Sequence, residues 1–400
     1  MLSRTKGRRP PPTLPPIRVA LVHECIAGWH GSERVLAEFA ALWPEAPIFC
    51  TAYDPAVVEQ SPLAGRDLRP SFVQRVPGLF GGRRPWHQAT LPLWPLAVEQ
   101  HDLRGFDVVL SSHHAAAHGV LSRSDQTHVA YTHSPARYAW DLYPEHVPPD
   151  KRAWAKRLLL HRFRRWDALA AQRVDHFLAN SAGVAKRVAK AYRREAHVIH
   201  PPVGLGRFAD AGPPRPAAER TGYVSVGRLV PYKNTAPVVE AFRRSGRPLA
   251  VIGDGPEAAR LRAAAGPNTR FVHDADDAAV AEALGGAKAL VFAAEEDFGI
   301  TPVEALAAGT PVVALGRGGA TETLGDGRSA VFFGEPTPEA VAAAVDRFEQ
   351  RGVALGPEAL RAAAGRFSAE GFRSAVRGFV EAARARDLEL GPPAWGAGLG

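Results

Sequence analysis

Short apolar segments alternate with helical patterns along most of this chain, and that alternation limits the folds open to it more than any other feature. The first segment, Ile17 to His23, has the sequence IRVALVH, and a helical pattern follows it after Ser32, which we predict to be the N-cap. Four more such segments follow: Ala46–Thr51, Phe106–Ser111, His128–Thr132 and His176–Ala179. Strands that alternate with helices predict a parallel sheet covered by helices on both faces.

The alternation stops at residues 201–220, where Pro, Gly, Ala and Arg replace large apolar residues, and then starts again. The second series of predicted strands comprises Tyr223–Val226, Pro248–Ile252, Arg270–His273, Ala289–Ala293 and Pro311–Ala314. We therefore predict an α/β protein with two doubly wound domains, residues 17–200 and 221–368, joined by a linker at 201–220. Residues 1–16, basic and rich in proline, are expected to be disordered, and a final helix, Ala369–Arg386, is expected to pack back on the first domain.

The composition is that of a globular protein, with 46% hydrophobic and 22% charged residues in a chain of 400. The sequence has no apolar run of about 18 residues and no signal peptide pattern, so we expect a cytoplasmic location. The net charge of +8 suits a nucleic acid, an anionic lipid surface or a phosphorylated ligand without choosing among them. Two cysteines, Cys25 and Cys50, are too few for a disulfide framework.

The most informative segment runs from Glu296 to Glu304 and has the sequence EDFGITPVE. Ligands of open α/β sheets bind at the carboxyl ends of the strands, and Glu296 follows a predicted strand directly. A purely structural interpretation explains Glu304, because Thr301 and Glu304 fit a capping box. It does not explain Glu296, Asp297 and Gly299, so the segment favours a binding site.

Cations and glycines in other loops indicate an anionic ligand. Arg228 and Lys233 follow a predicted strand, and a guanidinium and an ammonium group both suit phosphate oxygens. Gly318 and Gly319 in the second domain, and the Gly28–Gly31 loop in the first, can turn backbone N–H groups towards an anion. Ordinary surface cations and plain loops are the alternatives.

Two rival functions have weaker support. Residues 252–258, IGDGPEA, fit a dinucleotide fingerprint and so suggest a nicotinamide-dependent oxidoreductase, but that activity would give the Glu296–Glu304 segment no role. Nucleic acid is not an expected partner, because no recognition motif accompanies the positive charge.

A metal site is not predicted either. Asp274 and Asp276 resemble a metal-binding pair, but a solvated acidic turn explains them better. His113, His114 and His118 are close in sequence, and no carboxylate or cysteine joins them at ligand spacing.

In combination these motifs resemble glycosyltransferase family 4, whose members are retaining enzymes with the GT-B fold. The resemblance rests on EDFGITPVE (296–304), GRLVPYK (227–233), IGDGP (252–256) and GGATE (318–322). In the first half, GSERVL and YTHSPARYAWD (131–141) are similar to a mannosyltransferase-like branch involved in O-antigen and exopolysaccharide assembly.

The resemblance implies two Rossmann-like domains facing a cleft that binds a nucleotide-sugar. It assigns the diphosphate to Arg228 and Lys233, the ribose to Glu304, and the donor sugar to Glu296. On this basis the predicted catalytic residues are His133, Glu296, Arg228 and Lys233. The predicted donor-binding residues are Gly28, Gly31, Gly253, Asp297, Phe298, Gly299, Ile300, Thr301, Glu304, Gly318 and Gly319.

The family also implies the reaction, which is transfer of a hexose with retention of its anomeric configuration. GDP-mannose is the expected donor, a UDP-sugar is the alternative, and the expected acceptor is a glycan or a polyprenyl-linked sugar. No cofactor is expected, because two cations can stabilise the leaving group without a metal. The basic stretch at 151–173, with its tryptophans and leucines, is expected either to dock on an anionic membrane, at the inner membrane face, or to pack on the first domain.

Overall fold

The computed structural model describes residues 17–80, 86–147, 153–210 and 212–390. The predicted tail at 1–16, Lys151 and Arg152 of the basic stretch, and residue 211 of the predicted linker lie outside these residues.

The first domain contains a seven-stranded sheet in which every strand pairs in parallel, in the order β3-β2-β1-β4-β5-β6-β7. Its strands are β1 (Val19–Ile26), β2 (Ile48–Tyr53), β3 (Leu68–Pro70), β4 (Val108–His113), β5 (Thr127–Thr132), β6 (His176–Ala179) and β7 (Ala196–Val198). Its helices are α1 (Gly31–Leu42), α2 (Pro55–Glu59), α3 (Trp94–Glu99), α4 (Tyr143–His146), α5 (Trp154–Ala170) and α6 (Ala182–Tyr192). All residues of β4 and β5 are buried, their Ser, Thr and His residues included, as expected of strands in a parallel sheet that helices cover on both faces.

The second domain contains a six-stranded parallel sheet in the order β10-β9-β8-β11-β12-β13. Its strands are β8 (Tyr223–Val226), β9 (Leu249–Ile252), β10 (Thr269–Val272), β11 (Ala289–Phe292), β12 (Val312–Leu315) and β13 (Ala330–Phe333). Its helices are α7 (Gly206–Asp210), α8 (Thr235–Ser245), α9 (Ala258–Ala264), α10 (Asp277–Gly286), α11 (Ile300–Ala307), α12 (Ala320–Thr323), α13 (Pro338–Arg351) and α14 (Pro357–Ala364). The predicted α/β fold with two doubly wound domains is confirmed.

The predicted linker has more structure than its composition suggests. Helix α7 lies within it, and the side chains of Val203 and Phe208 belong to the core of the second domain. These two apolar residues help to hold residues 203–208 against that domain, although the segment around them is rich in small residues and proline.

The last helix, α15 (Ala369–Leu390), packs against the first domain. Phe372, Val376, Val380 and Ala383 are buried there, and the ring of Phe372 stacks on Phe39 with centroids 5.8 Å apart. The chain therefore enters the second domain after β7 and returns to the first domain at its last helix.

Two helix starts differ from those predicted. Helix α1 begins at Gly31 with His30 as its N-cap, and Ser32 lies inside the first turn, because the Glu33 carboxylate already accepts from the His30 backbone N–H at 3.0 Å. Helix α11 begins at Ile300 after Gly299, whose φ is 84°, so Thr301 is not its N-cap.

Candidate functional site

A cavity of about 480 Å³ lies between the domains, where the carboxyl ends of the two sheets face each other. The first domain contributes Gly31, Ser32, Val35, His114, His133, Arg137 and Asn180 to its lining. The second domain contributes Tyr232, Lys233 and residues 295–301. The cavity is therefore lined by nine of the fifteen predicted site residues: Gly31, His133, Lys233, Glu296, Asp297, Phe298, Gly299, Ile300 and Thr301.

Lys233 and Glu296 form an ion pair on the second-domain side of the cavity. Lys233 follows β8, Glu296 follows β11, and these strands are neighbours in the sheet, so their carboxyl ends bring the two side chains together. Burial lowers the pKa of Lys233 to about 8. The ammonium group is thus still charged at neutral pH and can exchange its carboxylate partner for another anion.

His133 faces these residues from the end of β5. Its Nε2 atom lies 2.9 Å from the Ser112 hydroxyl, and its backbone carbonyl accepts a hydrogen bond from the Asn180 amide at 2.9 Å. Burial lowers the pKa of His133 to about 3, so the ring is neutral at physiological pH. A neutral imidazole here can hydrogen-bond a hydroxyl group but carries no charge.

Glu304 is buried and pairs with Arg207, whose Nη2 atom lies 2.5 Å from Oε1 of Glu304. Burial raises the pKa of Glu304, and the Arg207 guanidinium opposes that shift. Arg207 also pairs with Asp277 at 2.5 Å. Because Glu304 makes this long-range ion pair, its position is not explained by a local helix cap.

Asp297 connects the two domains. Its carboxylate pairs with Arg187 of α6 and lies 3.5 Å from Nη1 of Arg137, and both arginines belong to the first domain. A second link involves Glu322, which accepts hydrogen bonds from the backbone N–H groups of Ala182 at 2.7 Å and Gly183 at 3.0 Å.

Gly318 and Gly319 support the cavity loop from behind and do not line the cavity. A Cβ atom on Gly318 would lie 2.4 Å from the Glu296 carbonyl oxygen, and one on Gly319 would lie 2.3 Å from that of Phe298. The backbone N–H of Gly319 donates to the Glu296 carbonyl at 2.8 Å. The two glycines therefore let this backbone approach the loop at residues 296–298 closely.

Gly253 likewise allows close packing against a neighbouring loop. Its φ is 135°, and a Cβ atom on it would lie 2.1 Å from the Gly227 carbonyl oxygen, in the loop that carries Arg228. The glycines of the IGDGP segment thus serve close packing between two loops. Among the predicted site residues, Gly28, Arg228 and Glu304 also lie outside the cavity lining, and the Arg228 side chain is exposed.

A buried polar cluster lies under the first-domain side of the cavity. Oε1 of Glu24 accepts hydrogen bonds from four consecutive backbone N–H groups, those of residues 114–117, at 2.6 to 3.1 Å. Burial alone would raise the pKa of Glu24, but His114, His113 and these N–H groups lower it well below its usual range. Glu24 therefore holds the loop that carries His114 into the cavity.

In the same cluster a carboxylate, Asp167, lies next to His113 and His118. The spacing of these residues in the sequence did not indicate this contact. Asp167 belongs to α5, and all three residues are buried. His118 contacts His113 through their Nδ1 atoms at 2.9 Å, and Trp140 and Tyr192 donate to Asp167. Burial raises the pKa of Asp167 to about 7.

The predicted acidic turn has a structural role, because Asp276 caps α10 by accepting from the Ala279 N–H at 2.7 Å.

Sequence reasoning missed the arginines of this site. Arg137 lies in the YTHSPARYAWD segment and so had a signal, whereas Arg187 and Arg207 had none. Their partners are 110 and 97 residues away, and no local pattern joins positions that far apart.

Comparison with known proteins agrees with this architecture. The family model for glycosyl transferases group 1 matches residues 213–364, and the model for Glycosyltransferase Family 4 matches residues 29–207. Two facing Rossmann-like domains matched by these models define a glycosyltransferase of the GT-B fold, and the predicted enzyme class is confirmed. The chain belongs to glycosyltransferase family 4.

Solved structures show the same fold at low sequence identity. HepE of Anabaena, in complex with UDP and glucose, is 17% identical with a TM-score of 0.63, over 90% of this chain and 99% of that one. Sucrose-phosphate synthase of Thermosynechococcus elongatus is 17% identical with a TM-score of 0.66, over 92% and 100%. The lipopolysaccharide outer core galactosyltransferase WaaB is 14% identical with a TM-score of 0.61, over 92% and 99%. No curated protein matches the sequence.

Proposed function

We propose that this protein is a retaining glycosyltransferase that moves a hexose from a nucleotide-sugar to a glycan or a lipid-linked sugar. The observation that carries the proposal is the arrangement of Lys233 and Glu296 opposite His133, across a cavity of about 480 Å³. A diphosphate that enters the cavity would take Lys233 as its counter-ion and release the Glu296 carboxylate to accept hydrogen bonds from sugar hydroxyls.

In the proposed reaction the bond between the sugar C1 atom and the phosphate oxygen breaks, and an acceptor oxygen bonds to C1 on the same face. The acceptor proton passes to the departing phosphate oxygen. Lys233 and Arg228 stabilise the negative charge that develops on the leaving diphosphate. Attack by Glu296 itself is the alternative route to retention, but we favour the first route, because we assign the Glu296 carboxylate to hydrogen bonds with the sugar hydroxyls.

GDP-mannose is the donor we propose, because the first half of the chain resembles mannosyltransferases. A UDP-hexose is the second candidate, because HepE, which shares the fold, was solved in complex with UDP-glucose. Thermal unfolding with GDP, UDP and NAD tests the choice, since a ligand that binds the native state raises Tm. A Tm rise with GDP would support the proposal, one with UDP would favour the second candidate, and one with NAD alone would contradict both.

The stereochemistry has its own test. NMR reports the anomeric configuration of the new linkage through the one-bond coupling constant between its C1 atom and the proton on C1. Retention of the donor configuration is expected, and an inverted product would contradict the proposed mechanism.

We also propose that the reaction needs no metal ion, because Lys233 and Arg228 supply positive charge at the leaving group. Activity is expected to survive an excess of EDTA. Loss of activity that manganese restores would contradict this proposal and direct attention to Asp274 and Asp276.

Helix α5 is proposed to dock the enzyme on an anionic lipid surface. Leu160, Phe163 and Asp167 form its buried face, whereas Trp154 is 67% exposed and Leu169 is 65% exposed. Leu158 and Leu159 are exposed as well, and so are the cations Arg162 and Arg165. An outward face with aromatic, aliphatic and basic side chains suits a bilayer interface with anionic headgroups.

Other parts of the basic stretch have internal partners, so only the outward cations count for docking. Arg164 donates to the Ala139 carbonyl at 2.9 Å, and Arg173 pairs with Glu99 at 3.0 Å. Within the described residues, no helix combines the length and the apolar content needed to cross a bilayer.

Co-sedimentation with vesicles tests the docking. Binding to phosphatidylglycerol vesicles at low salt, weakened by high salt and by the double variant R162A/R165A, is expected. Arg386→Ala, an exposed cation on α15, is the matched control and should bind like the wild type. Equal binding to phosphatidylcholine vesicles, or none to either, would contradict the proposal.

A further inference from the structure

Helix α6 of the first domain is joined to the second domain at two points beside the cavity. Glu322 binds the first two backbone N–H groups of the helix, and Asp297 pairs with Arg187 further along it. Glu322 and Asp297 both belong to the second domain, and Asp297 also lines the cavity. The contacts on α6 therefore couple the loop at residues 295–299 to the relative position of the two domains.

Arg187 lies between one carboxylate from each domain. Its Nε atom is 2.7 Å from Oδ2 of Asp141 in the first domain, and its Nη1 atom pairs with Oδ1 of Asp297 in the second. The Arg187 and Asp297 side chains are 20% and 19% exposed, so water screens their interaction only in part. Burial alone would lower the pKa of Arg187, but the two carboxylates outweigh it and raise that pKa. The guanidinium therefore stays charged and binds the two carboxylates through two different nitrogen atoms, Nε and Nη1.

The loop that Arg187 contacts is held from two sides. On one side the Gly319 N–H donates to the Glu296 carbonyl, a contact within the second domain. On the other side Arg187 binds the side chain of the next residue, Asp297, from the first domain. The first contact lies within the second domain, whereas the second joins the two domains and so depends on their relative position.

We propose that Arg187 is a positioning residue, which acts through Asp297 to set the donor-sugar loop in its productive place when the domains close. This inference rests on the proposed function, because it takes the loop at residues 295–299 as the donor-sugar site. Arg187 is not among the residues that line the cavity, so it acts without touching the substrate. The nucleotide contacts assigned to Lys233 and Glu304 lie within the second domain and do not depend on it.

The test separates nucleotide binding from sugar positioning. For Arg187→Met we expect unchanged affinity for the nucleoside diphosphate alone, weaker affinity for the intact nucleotide-sugar, and a kcat lower by about 10- to 100-fold, because small displacements of reacting groups cost that much. Arg187→Lys should recover part of kcat, since an ammonium group keeps the charge but lacks the planar set of N–H donors that the guanidinium offers to Asp297. Titration calorimetry and steady-state kinetics measure these values.

Two control variants mark the limits of the effect. Lys190→Met changes an exposed cation on the same helix, and Asp141→Asn removes the negative charge of the first-domain partner of Arg187 while the contact with Asp297 remains. Both should keep kcat near that of the wild type. An equal loss of kcat in Asp141→Asn would overturn the proposal, because it would show a general requirement for an ordered α6.

Other outcomes are equally distinct. If Arg187→Met weakens the binding of the nucleoside diphosphate and the nucleotide-sugar by the same factor, or lowers Tm without changing kcat, Arg187 is structural and the inference is wrong. If Arg187→Met does not fold, the Arg187→Lys variant supplies the same comparison. Failure of the wild-type protein to bind any nucleoside diphosphate would instead overturn the proposed function and this inference with it.

Discussion

The two cations predicted to bind the diphosphate occupy different surroundings. Lys233 lines the cavity and pairs with Glu296, whereas Arg228 is exposed on the loop before it. Lys233→Ala is expected to lower the transfer rate by about 10²–10³, the usual cost of removing a charge-stabilising group. Arg228→Ala is expected to cost less, because water already solvates that side chain. Steady-state kinetics of the two purified variants measures the difference, and near-normal turnover in Lys233→Ala would contradict the assignment.

The burial of Lys233 also gives a pH dependence with a definite sign. Its pKa of about 8 means that the ammonium group loses its charge as the pH rises through this value. Affinity for a nucleoside diphosphate should therefore fall above pH 8, by at most about tenfold per pH unit for one proton. Lys233→Met should bind more weakly and show no such fall. Calorimetric titrations between pH 7 and pH 9.5 measure this, and a parallel fall in both proteins would assign it to another group.

Residues that lie close together in sequence were predictable as site residues, and residues that meet across the cleft were not. Glu296 to Thr301 follow one strand directly, and Lys233 follows its neighbour in the sheet, so the geometry of a parallel sheet brings them together. The pairing of Glu304 with Arg207 depends on where α7 lies, and the sequence pattern predicts no helix within residues 201–220.

The loop at residues 296–298 and the glycines behind it form one packed unit, since a Cβ atom on Gly319 would lie 2.3 Å from the Phe298 carbonyl oxygen. Gly319→Ala is expected to displace the loop and to lower activity by about 10²-fold or more while the fold remains. Gly334→Ala is the matched control, because a Cβ atom there would meet nothing within 4 Å. Circular dichroism and kinetics compare the two, and an active Gly319→Ala enzyme would contradict the supporting role.

The central strands were predictable because each contains a short apolar run, whereas β3 and β7 were not. Strands β3 and β7 are three residues long and stand at the edges of the first sheet, where a few partly exposed residues produce no periodic pattern. Strand β13, at an edge of the second sheet, was not predicted, although its sequence AVFF is apolar and three of its four residues are buried. Register and edge strands depend on the neighbouring strand, which a local pattern does not reveal.

Helix α15 contributes to the first domain as a core element. Phe372 packs between Phe39 and Tyr131, with ring centroids 5.8 Å and 5.7 Å away. Phe372→Ala is expected to lower the free energy of unfolding of the first domain by about 3–5 kcal/mol, the usual cost of truncating a buried phenylalanine. Glu381→Ala, an exposed position on the same helix, should change it little. Urea unfolding monitored by tryptophan fluorescence measures both, and equal stabilities would contradict this role for α15.

The path of the chain through the two domains also has a consequence for its synthesis. The ribosome releases the strands of the first sheet early, but the helix that covers Phe39 and Tyr131 emerges after the whole second domain. The second domain has all its strands and its own core once residue 367 is out, so it can fold while the first still exposes apolar surface. A nascent chain stalled before α15 emerges should therefore present the first domain, and not the second, to chaperones and proteases.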